Sequence, residues 1–225
     1  MIEPQKWVAE ALAGLQKAFG PRLAYLGLQG SYRRGEATES SDIDLVTLLD
    51  KVSLNDLDTY RLIVQGLPEG DKACGFICGL AEFDRWPRHE LFPFKMDTAD
   101  YHGRLEDFIP PVSRGDIIEG VRIGASNLLH LMRHSYIHAA PEAKAGLLKE
   151  GYKAAFFVIL VHRYLTSGTY HRSKRALLAD IEEGPEKIIL AAGLDFPAWL
   201  STNPETEAFE ILIGWARGLL TGDLA

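Results

Sequence analysis

The sequence predicts an α+β protein, with a mixed sheet and helices over residues 1–112 followed by a helical bundle over residues 113–225. Two observations carry that expectation. In the first half, short apolar runs of strand length, Leu23-Ala24-Tyr25-Leu26, Ile43–Leu49 and Ala73–Gly79, alternate with helical or polar stretches. From Ser113 onward the apolar residues recur at helical spacing. Pro110-Pro111 marks the change.

Residues 4–19 place Trp7, Val8, Ala11, Leu12, Leu15, Ala18 and Phe19 on one helical stripe, and Gly20-Pro21 stops it. Two strands follow, joined by a polar connection. Ser53 is an N-cap for a short packing helix over residues 54–65, built on Leu57, Leu62 and Ile63. The run Ala73–Gly79 reads as a third strand, interrupted by glycine. Trp86-Pro87, Phe92-Pro93-Phe94 and Pro110-Pro111 break periodicity, so residues 80–112 are expected to be rich in loops. Long helices are expected over residues 116–137 and 145–165, the second apolar on nearly all sides. Shorter ones are expected near 174–183, 185–192 and 205–220, separated by Gly184-Pro185 and residues 193–204.

Composition narrows the function. With 47% apolar and 24% charged residues the chain has the makeup of a soluble globular protein. Residues 1–20 lack the basic start, apolar core and small-residue site of a targeting peptide, and the apolar stretch 154–161 is too short to span a bilayer. A cytoplasmic location, away from membranes, is therefore the expectation. Cys74 and Cys78 have no metal-type partner pair elsewhere and are expected to be buried thiols. The net charge of −7 is uneven: residues 1–112 hold 18 carboxylates against 12 Lys and Arg, the remainder 13 against 12. An acidic first half argues against a long nucleic acid as partner and suits a small or cationic acceptor.

The chemistry concentrates between Leu26 and Leu49. Asp42 and Asp44 begin a strand, and at i and i+2 they share a face while Ile43 and Leu45 point into the core. Ending ten residues before Ser41, Gly30-Ser31 can present backbone N–H groups. Paired carboxylates beside such a turn suit a hard divalent cation carrying a phosphate chain.

The order Gly30-Ser31-Tyr32-Arg33-Arg34-Gly35, then Ser41-Asp42-Ile43-Asp44-Leu45, resembles the signature of the polymerase-β-like nucleotidyltransferases, in particular the bacterial aminoglycoside adenylyltransferases. The resemblance implies a nucleotidyltransferase domain over 1–112 and Mg²⁺-dependent transfer of a nucleoside monophosphate from ATP or another NTP to a hydroxyl of a small molecule. It makes Asp42 and Asp44 the catalytic metal ligands, and Gly30, Ser31, Arg34 and Ser41 the nucleotide-binding residues. Arg34 is preferred to Arg33 because its spacing from Ser31 matches the pattern. The acceptor is expected between the two halves.

The resemblance departs from the family at the third carboxylate. The segment Arg85-Trp86-Pro87-Arg88-His89-Glu90-Leu91-Phe92 is similar to the stretch that follows the third acid in the family, but the strand before it, Ala73–Gly79, carries no acid. Glu82 is the nearest substitute and Asp71 the next, both outside that strand. The alternative is a nucleotide-binding regulatory or antitoxin-like protein of the same fold with weak or no catalysis. In the second half, Arg163-Tyr164-Leu165-Thr166-Ser167-Gly168 and Ser173-Lys174 resemble a helix end and turn beside the active cleft of the adenylyltransferases. That makes Lys174 a candidate for phosphate contact, and Lys153, on the central helix, is a second candidate, reaching a phosphate from across that cleft. His130, His134 and His138 stack on one side of a helix, where a cleft wall or ordinary surface is expected before a metal site.

Overall fold

A computed structural model of the chain describes residues 2–224. It is an α+β structure that divides into two compact units, Met1–Pro111 and Val112–Ala225.

The first unit opens with α1 (Pro4–Phe19), which has Pro at its start, where no N–H is needed. Its apolar stripe buries Trp7, Val8, Ala11, Leu15 and Phe19. β1 (Leu23–Gln29) runs into a five-residue helix α2 (Gly30–Arg34), so the expected Gly-Ser turn is itself helical. β2 (Ile43–Leu49) and α3 (Leu54–Gln65) follow, then β3 (Ala73–Gly79), α4 (Leu80–Phe83), α5 (Arg88–Met96) and β4 (Ala99–His102).

The sheet order is β3-β2-β1-β4, with β2 antiparallel to β1 and parallel to β3, and β4 antiparallel to β1. One face carries Leu23, Leu26, Leu28, Ile43, Leu45 and Leu49 against α1, and this forms the main core. Burial of about a dozen such side chains, each contributing roughly 1.5–3 kcal/mol, holds the sheet and helix together. Gly75 has φ +128, and a Cβ there would run into the backbone oxygen of Leu45, so the glycine is what lets β3 lie alongside β2.

The loop-rich expectation for residues 80–112 is corrected by the structure: two helices and a strand lie there. Pro93 sits inside α5 and removes one N–H, but Leu91 and Phe92 are buried. Phe94 packs edge-on to Phe76 at 5.0 Å and tilted to Phe83 at 5.7 Å. Tertiary packing thus outweighs the local proline penalty. The cysteines also differ from expectation: Cys78 is buried but Cys74 is exposed, and both are free thiols. Burial and the Glu82 carboxylate push the Cys78 thiol up to about 11.

α3 is tied to the start of β1 by one carboxylate. Asp56 closes a capping box with Ser53 and accepts from Arg22 Nη1 at 2.8 Å and Nη2 at 3.0 Å. These bonds, that from Arg22 first, hold Asp56 well below the usual carboxylate range. A carboxylate depressed in the folded state contributes stability that is full above its unfolded value, about 4, and is lost as pH falls through the folded value. Asp56→Asn should therefore lower Tm at pH 7, and the gap to the parent should narrow steadily below about pH 4. Thermal melts of both proteins between pH 7 and pH 3 check this; a gap that stays constant or widens toward acid contradicts it.

The second unit is helical. α6 (Arg114–His138) starts in a Ser113/Asp116 capping box, and α7 (Pro141–Ser167) ends at Gly168 in the left-handed conformation. They are followed by α8 (Lys174–Asp180), α9 (Pro185–Leu194), α10 (Phe196–Leu200) and α11 (Glu205–Thr221). α10 lies within the stretch 193–204 expected only to separate helices; Asp195 caps it and Phe196 is buried. Gly151 lets α6 close on α7, because a Cβ there would meet Met132 Cε at 2.7 Å. No helix of the described residues is long and apolar enough to cross a membrane.

Candidate active site

Alternation along β2 separates the core from the chemistry. Ile43 and Leu45 have no exposed surface, while Asp44 is half-buried and Asp42 is exposed just before the strand. Asp44 lies opposite Gln29 on β1 and Cys74 on β3. Gly30, the next residue after Gln29, has φ +74, and a Cβ there would collide with the Asp44 carboxylate. The opening of α2 and the carboxylate are therefore in direct apposition, which only glycine allows. Ser31 follows on α2, and Tyr32 turns into the core.

Two carboxylates on one end of a strand, with a backbone turn against one of them, are hard oxygen donors suited to Mg²⁺, which commonly keeps waters and shares phosphate oxygens. Among the described residues no three His, Cys, Asp or Glu side chains come together in a way that could hold a metal by themselves. Asp42 and Asp44 by themselves are two oxygen donors, so a Mg²⁺ ion held there would need further oxygens from phosphate or water.

The other predicted residues are placed as follows. Arg34 is enclosed by carboxylates: Nε donates to Glu36 at 3.2 Å and Nη1 to Asp97 at 2.5 Å. Burial pushes Asp97 up, an effect opposed by Arg34 and Arg33. Neighbouring Arg33 has its Nε buried without a hydrogen-bond partner. Ser41 is engaged in its own turn, its Oγ accepting from the Thr38 N–H at 2.8 Å. Its local role is to shape the approach to Asp42. Glu82 accepts from the Gly79 N–H at 2.9 Å. Since Gly79 pairs with Leu49 and Cys74 with Asp44, Glu82 belongs to the far end of the strand, about 16 Å away at 3.3 Å per residue. Asp71 is exposed in the turn before β3, at the same end of the parallel pair as Asp42.

Sequence reasoning missed Gln29 and Asp97. Gln29 Nε2 donates to Phe94 O at 3.2 Å and Thr98 Oγ1 at 2.8 Å, fastening the end of α5 to the end of β1. The only sequence signal was an amide directly before Gly30.

In the second unit, Lys153 is exposed near Glu150 at 4.0 Å, and Lys174 Nζ stands 5.4 Å from the Phe156 ring centre. His130, His134 and His138 form a ladder on α6 with ring centres 5.9 and 4.9 Å apart. His162 Nδ1 lies 2.6 Å from Glu186 Oε1, joining α7 to α9. Arg163, Asp180, Ile181, Glu182 and Glu183 line a cavity of about 580 Å³.

Residues 8–83 match the family model for the nucleotidyltransferase domain. The fold of the whole chain is similar to that of spectinomycin adenyltransferase AAD(9) from Enterococcus faecialis, crystallised with ATP and spectinomycin. The TM-score is 0.55 at 14% identity, over 97% of this chain and 99% of that one. No curated protein matches by sequence.

Proposed function

We propose that the protein, whose residues 8–83 match the model for the nucleotidyltransferase domain, transfers a nucleoside monophosphate from ATP to a hydroxyl of a small aminoglycoside-like acceptor. One observation carries the reading: Gly30, opening α2, lies against the Asp44 carboxylate at the end of β2. Asp42 and Asp44 are the residues to hold Mg²⁺. When bound, that ion offsets charge on the attacking and leaving oxygens. The remaining work falls to the chain. Gly30 admits the phosphate chain to the backbone, Ser31 donates to its oxygens, and Arg34 contributes a planar cationic donor. The acceptor oxygen bonds to the α-phosphorus as its proton passes to solvent, the bond to the bridging oxygen breaks and pyrophosphate leaves.

The adenyltransferase of similar fold was crystallised with spectinomycin, which makes a hydroxylated aminocyclitol the first acceptor to try. Incubating the intact chain with Mg²⁺, α-labelled ATP and a panel of spectinomycin and aminoglycosides should label at least one acceptor and release pyrophosphate. Cys74 opposite Asp44, where no acid stands, favours a second reading: nucleotide binding without turnover, in a regulatory role. Mg²⁺–ATP binding with no labelled acceptor across the panel would select it.

A further inference from the structure

We propose that Asp97 is a resident anion of the triphosphate site: its carboxylate holds Arg34 while nucleotide is absent and releases it to a phosphate oxygen when nucleotide binds. The inference rests on Arg34 as a phosphate ligand. Its ground is the pair itself. Arg34 Nη1 lies 2.5 Å from Asp97 Oδ2, with the two side chains 10% and 17% exposed, so water is a poor substitute partner for either.

The segment carrying Asp97 is anchored. Gln29 Nε2 grips Phe94 O and Thr98 Oγ1, Thr98 Oγ1 donates to Phe94 O at 2.6 Å, and the Asp97 N–H donates to Pro93 O at 2.9 Å. The backbone of Asp97 is thereby held beside the end of β1, next to Gly30. Exchange of the partner at Nη1 then leaves the Asp97 backbone in place and proceeds by rotation of side chains. Glu36 keeps a separate contact at Nε, so the guanidinium retains a tether when Nη1 changes partner.

Charge sets the direction of the effect. Glu36 and Asp97 contact Arg34, and Asp44 lies against Gly30 at the opening of the same short helix. A triphosphate adds negative charge and competes with Asp97 for the same N–H. Asp97 thus lowers nucleotide affinity, both through the pair that must break and through like-charge repulsion.

Calorimetric titration of the intact chain with Mg²⁺ and α,β-methylene-ATP tests this in Asp97→Asn, Asp97→Ser, Arg34→Gln and the double variant Asp97→Asn/Arg34→Gln. Each Asp97 variant should bind roughly fivefold more tightly than the parent. Arg34→Gln should bind more weakly, and adding Asp97→Asn to it should change affinity less than in the parent. A merely structural Asp97 would not give tighter binding on its removal. Unchanged or weaker binding in both Asp97 variants, with Arg34→Gln still weakened, overturns the proposal and leaves Arg34 as a phosphate ligand. Unchanged binding in Arg34→Gln overturns both.

Discussion

Asp44→Asn is expected to leave the fold intact and to lower the rate of nucleotidyl transfer by about a thousandfold or more, the scale of losing a charge that stabilises a developing oxyanion through its cation. The substitution is nearly isosteric, and the core side chains flanking it, Ile43 and Leu45, are on the opposite face of β2. What changes is a formal charge at the end of the strand. Mg²⁺-dependent binding of a non-hydrolysable ATP analogue should weaken in parallel, and the same should hold for Asp42→Asn. Circular dichroism melts establish the fold, and Mg²⁺ titrations of nucleotide affinity measure the effect. Undiminished Mg²⁺-dependent affinity in both variants rules out this pair as the metal ligands.

Gly30→Ala is the second large effect. The residue has φ +74, and its added Cβ would collide with the Asp44 carboxylate. The left-handed conformation alone costs a non-glycine residue roughly 1–2 kcal/mol. Gly35 provides the control: its φ is +71, but nothing lies within 4 Å of a Cβ built there. Both alanine variants should lose a similar amount of thermal stability from the backbone term. Only Gly30→Ala should displace Asp44 and block the approach of phosphate to the backbone, with kcat/KM down by about a hundredfold, as for a misplacement of about an ångström. Equal kcat/KM in the two variants would show that the apposition of Gly30 and Asp44 has no part in activity.

Much of this protein is legible in its sequence because the signals are local. The stripe from Trp7 to Phe19 has one helical solution, and α1 runs over the predicted residues 4–19. Ser53 predicts the start of α3 as its N-cap, and the cap is made within four residues, its side chain accepting from the Asp56 N–H. The alternation of Ile43, Asp44 and Leu45 assigns each side chain to a face as soon as the segment is a strand, so the placing of Asp44 away from the core follows from spacing alone.

What only the tertiary structure decided comes from residues distant in sequence. Residues 80–112 look irregular because Pro87, Pro93 and the Pro110-Pro111 pair interrupt every periodic pattern, yet Phe76, Phe83, Trp86 and Phe94 pack into one aromatic cluster that makes helix α5 worthwhile despite Pro93. The pairing of Asp44 with Cys74 depends on the register of two parallel strands separated by α3, and no local motif specifies that register. Arg34 reads in sequence as a phosphate-binding cation on a short connection, with no carboxylate partner assigned to it. Its engagement by Asp97, 63 positions away, exists only because β4 returns to pair with β1 and brings the end of α5 beside the residue that precedes Gly30. The facing of Asp44 is a property of one strand, whereas the partners that surround it are set by which strands lie side by side.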